Sequence, residues 1–104
     1  MEEFEVEEYA ALRASTPHVV LDVREAWEFE RCHLPDSRHI PLGELGLRVA
    51  ELDRAQLLVV VCHHGLRSRA AQAWLLSQGY MRVVNLAGGI DAWARRVEPS
   101  MALY

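Results

Sequence analysis

Three short apolar runs set the rhythm of the chain: His18–Val23 (HVVLDV), Leu57–Cys62 (LLVVVC) and Arg82–Leu86 (RVVNL). They are rich in β-branched residues and continuous rather than alternating, the pattern of strands buried on both faces of a parallel sheet. Shorter runs at Phe4–Val6 and Arg38–Ile40 add two edge-strand candidates. Helical spacing fills the gaps. Val6–Ala14 sets Tyr9 and Leu12 three apart, Glu25–Cys32 opens with an acid as a helix N-terminus prefers, and Leu42–Leu52 aligns Leu45, Val49 and Leu52 despite Gly43 and Gly46. Leu66–Gln78 carries Ala71, Trp74, Leu75 and Gln78 on one stripe with Gly79 placed to cap it, and Ile90–Arg95 follows Gly88-Gly89. Strand and helix alternate throughout. The expected fold class is therefore α/β, a doubly wound, mainly parallel sheet of about five strands with helices on both faces. One domain is expected over residues 1–104, with the tail Glu98–Tyr104 loose or packed on the surface.

Bulk composition narrows the function. Half the residues are hydrophobic (51%) and a quarter charged (25%), enough apolar material for a core without disulfide or metal staples. No apolar run approaches the roughly 18 residues of a membrane span, so no membrane partner is expected. The acidic N-terminus MEEFEVEEYA lacks the pattern of a secretory signal, which makes the expected location cytoplasmic. The net charge of −4 argues against nucleic acid as a partner. All 11 basic residues are arginine, which excludes Schiff-base lysine chemistry and a Walker A loop. Of the 15 acids, none lies between Arg54 and Ile90, a window that contains Arg54, Arg67, Arg69, Arg82, His63 and His64. Such a segment suits a small anionic substrate, although core strand and Ala-rich helix also account for missing acids.

Two cysteines, Cys32 and Cys62, are expected as reduced thiols. Cys62 ends the LLVVVC run, and His63-His64-Gly65-Leu66-Arg67-Ser68 leads from it into the strongest helix. In open α/β sheets ligands bind beyond the carboxyl ends of strands. A thiol there meets the free N–H groups and positive dipole end of the next helix, which favour the nucleophilic thiolate. Gly65 lets the loop turn with its amides inward, and Arg67 offers a planar fork of donors for an oxyanion. His63 and His64 are candidate substrate contacts or spectators. A buried strand-end cysteine is ordinarily packing, but this following loop favours a reactive thiol.

CHHGLRS after an apolar strand resembles the active-site loop of the rhodanese-like sulfurtransferases. LDVREAWEFERCHLPDSRHIPL is similar to that family's first signature, and NLAGGIDAW to its closing one, so the resemblance spans Leu21–Trp93. It implies a Cys62 persulfide formed from a small anionic donor such as thiosulfate. The loop His63–Ser68 would bind that sulfur, with Arg67 seating the donor's sulfite end. A thiol, cyanide or a sulfur-acceptor protein would then take the sulfur; no cofactor is implied. Asp22, Arg24, Glu28 and His33 are expected as structural support, through buried pairing of Asp22 and Arg24 with neighbours such as Glu28 and through a His33 hydrogen bond. Cys32 stands where the family has glycine, so the backbone there must accept a side chain; it reads as structural rather than redox-active.

Three alternatives compete with this resemblance. A cysteine phosphatase or arsenate reductase is disfavoured: the phosphatases that share the family's fold need Cys-x5-Arg, whereas Cys62 and Arg67 form the shorter Cys-x4-Arg. Zinc held by Cys62, His63 and His64 is disfavoured because adjacent residues share one tetrahedral ion poorly, so no metal site is expected. A non-catalytic binding module would ordinarily have lost the loop cysteine.

Overall fold

The computed structural model describes residues 1–104. Five strands, β1 (Glu3–Phe4), β2 (Val19–Asp22), β3 (Arg38–His39), β4 (Leu57–Val61) and β5 (Arg82–Leu86), form one sheet in the order β1-β5-β4-β2-β3. Every pairing is parallel, with Val19 to Asp22 of β2 opposite Leu58 to Val61 of β4, and Leu57 to Val60 opposite Arg82 to Asn85 of β5. The helices are α1 (Val6–Leu12), α2 (Ala26–Arg31), α3 (Leu45–Arg48), α4 (Leu66–Ser77) and α5 (Gly89–Arg96).

The central strand explains the continuous apolar runs. Val59 and Val61 point to one face, into a core with Val6 and Tyr9 of α1 and Ile90 and Trp93 of α5. Leu58, Val60 and Cys62 point to the other, against Leu45 of α3 and Ala71 and Leu75 of α4. Successive side chains alternate across a strand, so a strand covered on both faces must be apolar at every position. Cys62 simply continues that alternation one step past the end of β4.

Several boundaries differ from the sequence pattern. The predicted Leu42–Leu52 helix is three short pieces, 3-10 turns at Leu42–Glu44 and Val49–Glu51 flanking α3. Gly43 and Gly46 weaken it, and both face open space, so no packing compensates. On α4 the buried stripe is Ser68, Ala71, Gln72 and Leu75, while Gln78 is exposed. Gln72 is buried because its amide donates to the carbonyls of Val83 and Glu2, stitching α4 to the β5–β1 edge. β2 begins at Val19 rather than His18, whose ring is engaged with Thr16 O and the Tyr9 hydroxyl. Glu25 is the N-cap of α2, in a capping box with Glu28.

Candidate active site

From β2 the chain runs outward to β3, and from β4 in the opposite direction to β5, so the strand order reverses between β2 and β4. A crevice forms at the carboxyl ends of strands at such a point. The segments leaving these two ends are Val23-Arg24 and Cys62-His63-His64-Gly65. A pocket of about 220 Å³ lies there, lined by Cys62, His63, His64, Leu66 and Arg67.

The loop is held from two sides. Gly65, with φ +97°, caps α4 and turns its N–H onto Cys62 Sγ at 3.1 Å. The opposite, carbonyl side is clamped by α5: Ile90 N–H donates to Cys62 O at 2.9 Å and Asp91 N–H to His63 O at 3.0 Å. Gly89, with φ +61°, sits so close that a Cβ would collide with both carbonyls. The Gly88-Gly89 pair therefore serves the cysteine loop directly, by letting the α5 N-terminus approach it.

Cys62 is 1% exposed and also contacts Ser68 Oγ at 3.2 Å. A proton count fixes the direction of that bond. Asn85 Nδ2 faces two acceptors, Glu3 Oε2 at 2.7 Å and Gly65 O at 3.2 Å, so its Oδ1 must face Ser68. Ser68 gives its single proton to that oxygen. The remaining Cys62–Ser68 bond then runs from the thiol to the hydroxyl oxygen. Ionisation of Cys62 would release Ser68 to turn its proton onto sulfur.

Arg67 does not project freely into the pocket. Its two terminal nitrogens donate to the two Glu28 oxygens at 2.6 and 2.8 Å. Glu28 also accepts from Glu25 N–H at 2.9 Å and from the Tyr104 hydroxyl at 3.0 Å. The bond from Arg67 is the main reason the Glu28 carboxyl is held down to about 2. Asp22 and Arg24 form a buried pair at 2.7 Å, as expected, but Glu28 joins it only through its backbone carbonyl, at 3.3 Å from Arg24. Arg24 places all its N–H groups, on Asp22, Glu28 O, Cys32 O and the Tyr104 hydroxyl. That completeness lets a guanidinium be fully buried.

His63 stacks on Tyr104 at 4.0 Å between ring centres. Burial first, and the neighbouring His64 second, lower its pKa, so it is neutral near pH 7. Asp91 adds a third group to the two imidazoles, 4.0 Å from His63 and 3.9 Å from His64, but its carboxylate already pairs with Arg95 at 3.0 Å. His33, just past the end of α2, does make a hydrogen bond, with Phe29 O of that helix. The buttress nearer the site is His39, whose Nε2 meets Arg24 O at 2.7 Å. Cys32 is extended (φ −167°), a conformation any residue adopts, and its thiol reaches Ala102 O at 3.5 Å.

Asn85, Glu3, Asp91, His39 and Tyr104 were not among the sequence candidates. Only Asn85 left a usable signal, a polar residue inside the buried run RVVNL.

The Rhodanese-like domain model matches residues 5–96. The chain belongs to the rhodanese-like domain family. It is 38% identical over 101 residues to a sulfurtransferase of Allochromatium vinosum, covering 96% of this chain and 94% of that protein. It is 40% identical over 75 residues to the thiosulfate sulfurtransferase GlpE of Pseudomonas savastanoi, covering 72% and 71%. A Bacillus subtilis protein named as a sulfur carrier, YrkF, is 39% identical over 79 residues, and the matched segment spans 76% of this chain and 43% of that protein. Among solved structures, a rhodanese-related protein of Thermoplasma volcanium superposes with TM-score 0.86 at 31% identity, covering 95% of this chain and 96% of that one. The doubly wound parallel sheet is thus the rhodanese fold, with the cysteine loop at its strand-order reversal.

Proposed function

We propose that this rhodanese-like protein is a sulfurtransferase working through a persulfide on Cys62. The observation that carries the reading is the Gly65 N–H aimed at Cys62 Sγ, at the N-terminus of α4 and the floor of a small pocket. Amides and a helix end so placed stabilise a sulfur anion.

The Cys62 thiolate attacks the outer sulfur of a donor carrying sulfane sulfur. A new S–S bond forms on Cys62 while the donor's S–S bond breaks, and sulfite or a thiolate leaves with the electron pair. An acceptor thiolate or cyanide then attacks the outer sulfur of the Cys62 persulfide. The acceptor leaves as a persulfide or thiocyanate, and the Cys62 thiolate is restored. The cycle is covalent and ping-pong. His63, His64, Leu66 and Ser68 line or support the sulfur site, and the Asp22–Arg24 pair with Glu28 holds the β2 side of the crevice. A protein acceptor, as in a sulfur relay, is the second form of the same reading, supported by the relative named as a sulfur carrier. The Cys-x4-Arg loop disfavours phosphate chemistry, because Arg67 is turned onto Glu28 instead of into a phosphate-sized cradle.

Intact mass after incubation with a sulfane-sulfur donor tests this. Wild type and Cys32→Ser should gain one sulfur atom that cyanide removes, whereas Cys62→Ser should gain none. Loading that survives in Cys62→Ser would overturn the assignment.

A further inference from the structure

The arginines around the cysteine loop are all neutralised by acids from elsewhere in the chain. Arg67 pairs with Glu28 at 2.6 Å, Arg69 with Glu3 at 3.0 Å, Arg95 with Asp91 at 3.0 Å and Arg24 with Asp22 at 2.7 Å. His63 is neutral near pH 7, and Asp91 faces both loop imidazoles. The phenol of Tyr104, which covers His63, is pushed up to about 12 by burial and adds no charge. The protein as a whole carries −4. At the pocket mouth Leu66 is 73% exposed. A thiosulfate dianion would find loop amides for its outer sulfur here, but no unpaired side-chain cation for its sulfite end, and a repelling overall field.

We propose that Glu28 is a specificity-determining residue, which by engaging both arms of Arg67 removes net positive charge from the pocket and so selects an organic persulfide over thiosulfate as sulfur donor. This rests on the sulfur-transfer reading above. The step is the one already written, with an uncharged-tailed thiolate rather than sulfite as the group that leaves with the electron pair. Glu28→Gln keeps the side-chain shape and the Oε1 oxygen that accepts from Glu25 N–H and Arg67 Nη1, but it puts an N–H-bearing amide against Arg67 Nη2 and removes the carboxylate charge, so the guanidinium's positive charge is no longer neutralised.

The test compares thiosulfate with the persulfide of 2-mercaptoethanol, generated in situ, by the rate of sulfur loading on Cys62. In the wild type kcat/KM should be higher for the persulfide by about tenfold or more, an unpaired charge contact being worth on that order. Glu28→Gln should raise kcat/KM for thiosulfate about tenfold, mainly through KM, and leave the persulfide within about twofold. A measurement on the wild type stands even if the variant folds poorly. Added salt should leave the thiosulfate rate unchanged or raise it, because salt screens repulsion, whereas a free Arg67 would make it fall. Preference for thiosulfate in the wild type, a fall with salt, or an equal response of both donors to Glu28→Gln overturns the proposal while leaving sulfur transfer intact. Failure of both donors to load Cys62 in the wild type overturns the sulfur-transfer reading and this inference with it.

Discussion

Glu28 shows how much one side chain can hold. Its oxygens accept from Arg67, from the Tyr104 hydroxyl and from the backbone of its own helix cap, and the residue is 3% exposed. Its carboxyl is depressed from the ordinary 4.5 to about 2, chiefly by the Arg67 bond. A folded-state value below the unfolded one means the stabilisation is fully present above pH 4.5 and is lost as pH falls towards 2. Thermal melts of wild type should therefore drop steeply through that window, and Glu28→Gln should flatten this limb; parallel curves for the two proteins would contradict it. Legibility differs sharply between residues at this scale. Cys62, Gly65 and Ser68 were readable because local sequence places them on one strand-to-helix turn. The partners of Arg67 and Ser68 were not, since Glu28 lies 39 positions away and Asn85 lies 17 away. Side-chain pairing at such separations depends on which elements become neighbours, and one chain's local pattern carries no record of it.

Among the elements, β4, β5 and α4 formed close to where hydrophobic pattern and capping residues put them. The Leu42–Leu52 segment broke because its two glycines weaken a helix and no packing at those positions compensates. The two glycine classes in the chain should answer oppositely to substitution. Gly43 faces open space in a helical turn, so Gly43→Ala is expected to stabilise by about 0.5–1 kcal/mol in urea melts. Gly89 is left-handed and abuts the carbonyls of Cys62 and His63, so Gly89→Ala should cost about 1–3 kcal/mol. The same change should also slow sulfur loading of Cys62, because it pushes away the helix end that positions the loop. Normal loading in a destabilised Gly89→Ala protein would separate the clamp from the chemistry and refute its role. On α4 the polar members Ser68 and Gln72 face inward to satisfy backbone and side-chain partners, so an apolar count placed the buried stripe three residues, nearly one turn, too far along the helix.

At the scale of the whole molecule, the C-terminal segment returns to the site rather than hanging loose. Tyr104 bonds to Arg24 and Glu28 across 80 and 76 positions and lays its ring on His63. Tyr104→Ala removes the ring stacked on His63, which lines the pocket, and should speed alkylation of Cys62 by iodoacetamide, with a modest loss of stability of about 1–2 kcal/mol; unchanged alkylation would show that the ring does not restrict access through His63. No helix is long and apolar enough to cross a membrane. The charge distribution changes most between chain and fold. Along the sequence, Arg67, Arg69 and Arg82 lie in an acid-free window, yet in the fold each meets a carboxylate from outside it: Glu28, Glu3 and Glu2. The sequence by itself determined the parallel α/β class, the family resemblance and the place of the candidate cysteine on its strand-to-helix loop, because strand burial, helix caps and a loop cysteine are local features written in consecutive residues. Only the tertiary structure decided the electrostatics of the pocket, since charge neutralisation depends on distances in space. It turned an apparently cationic segment into a neutral cleft around Cys62.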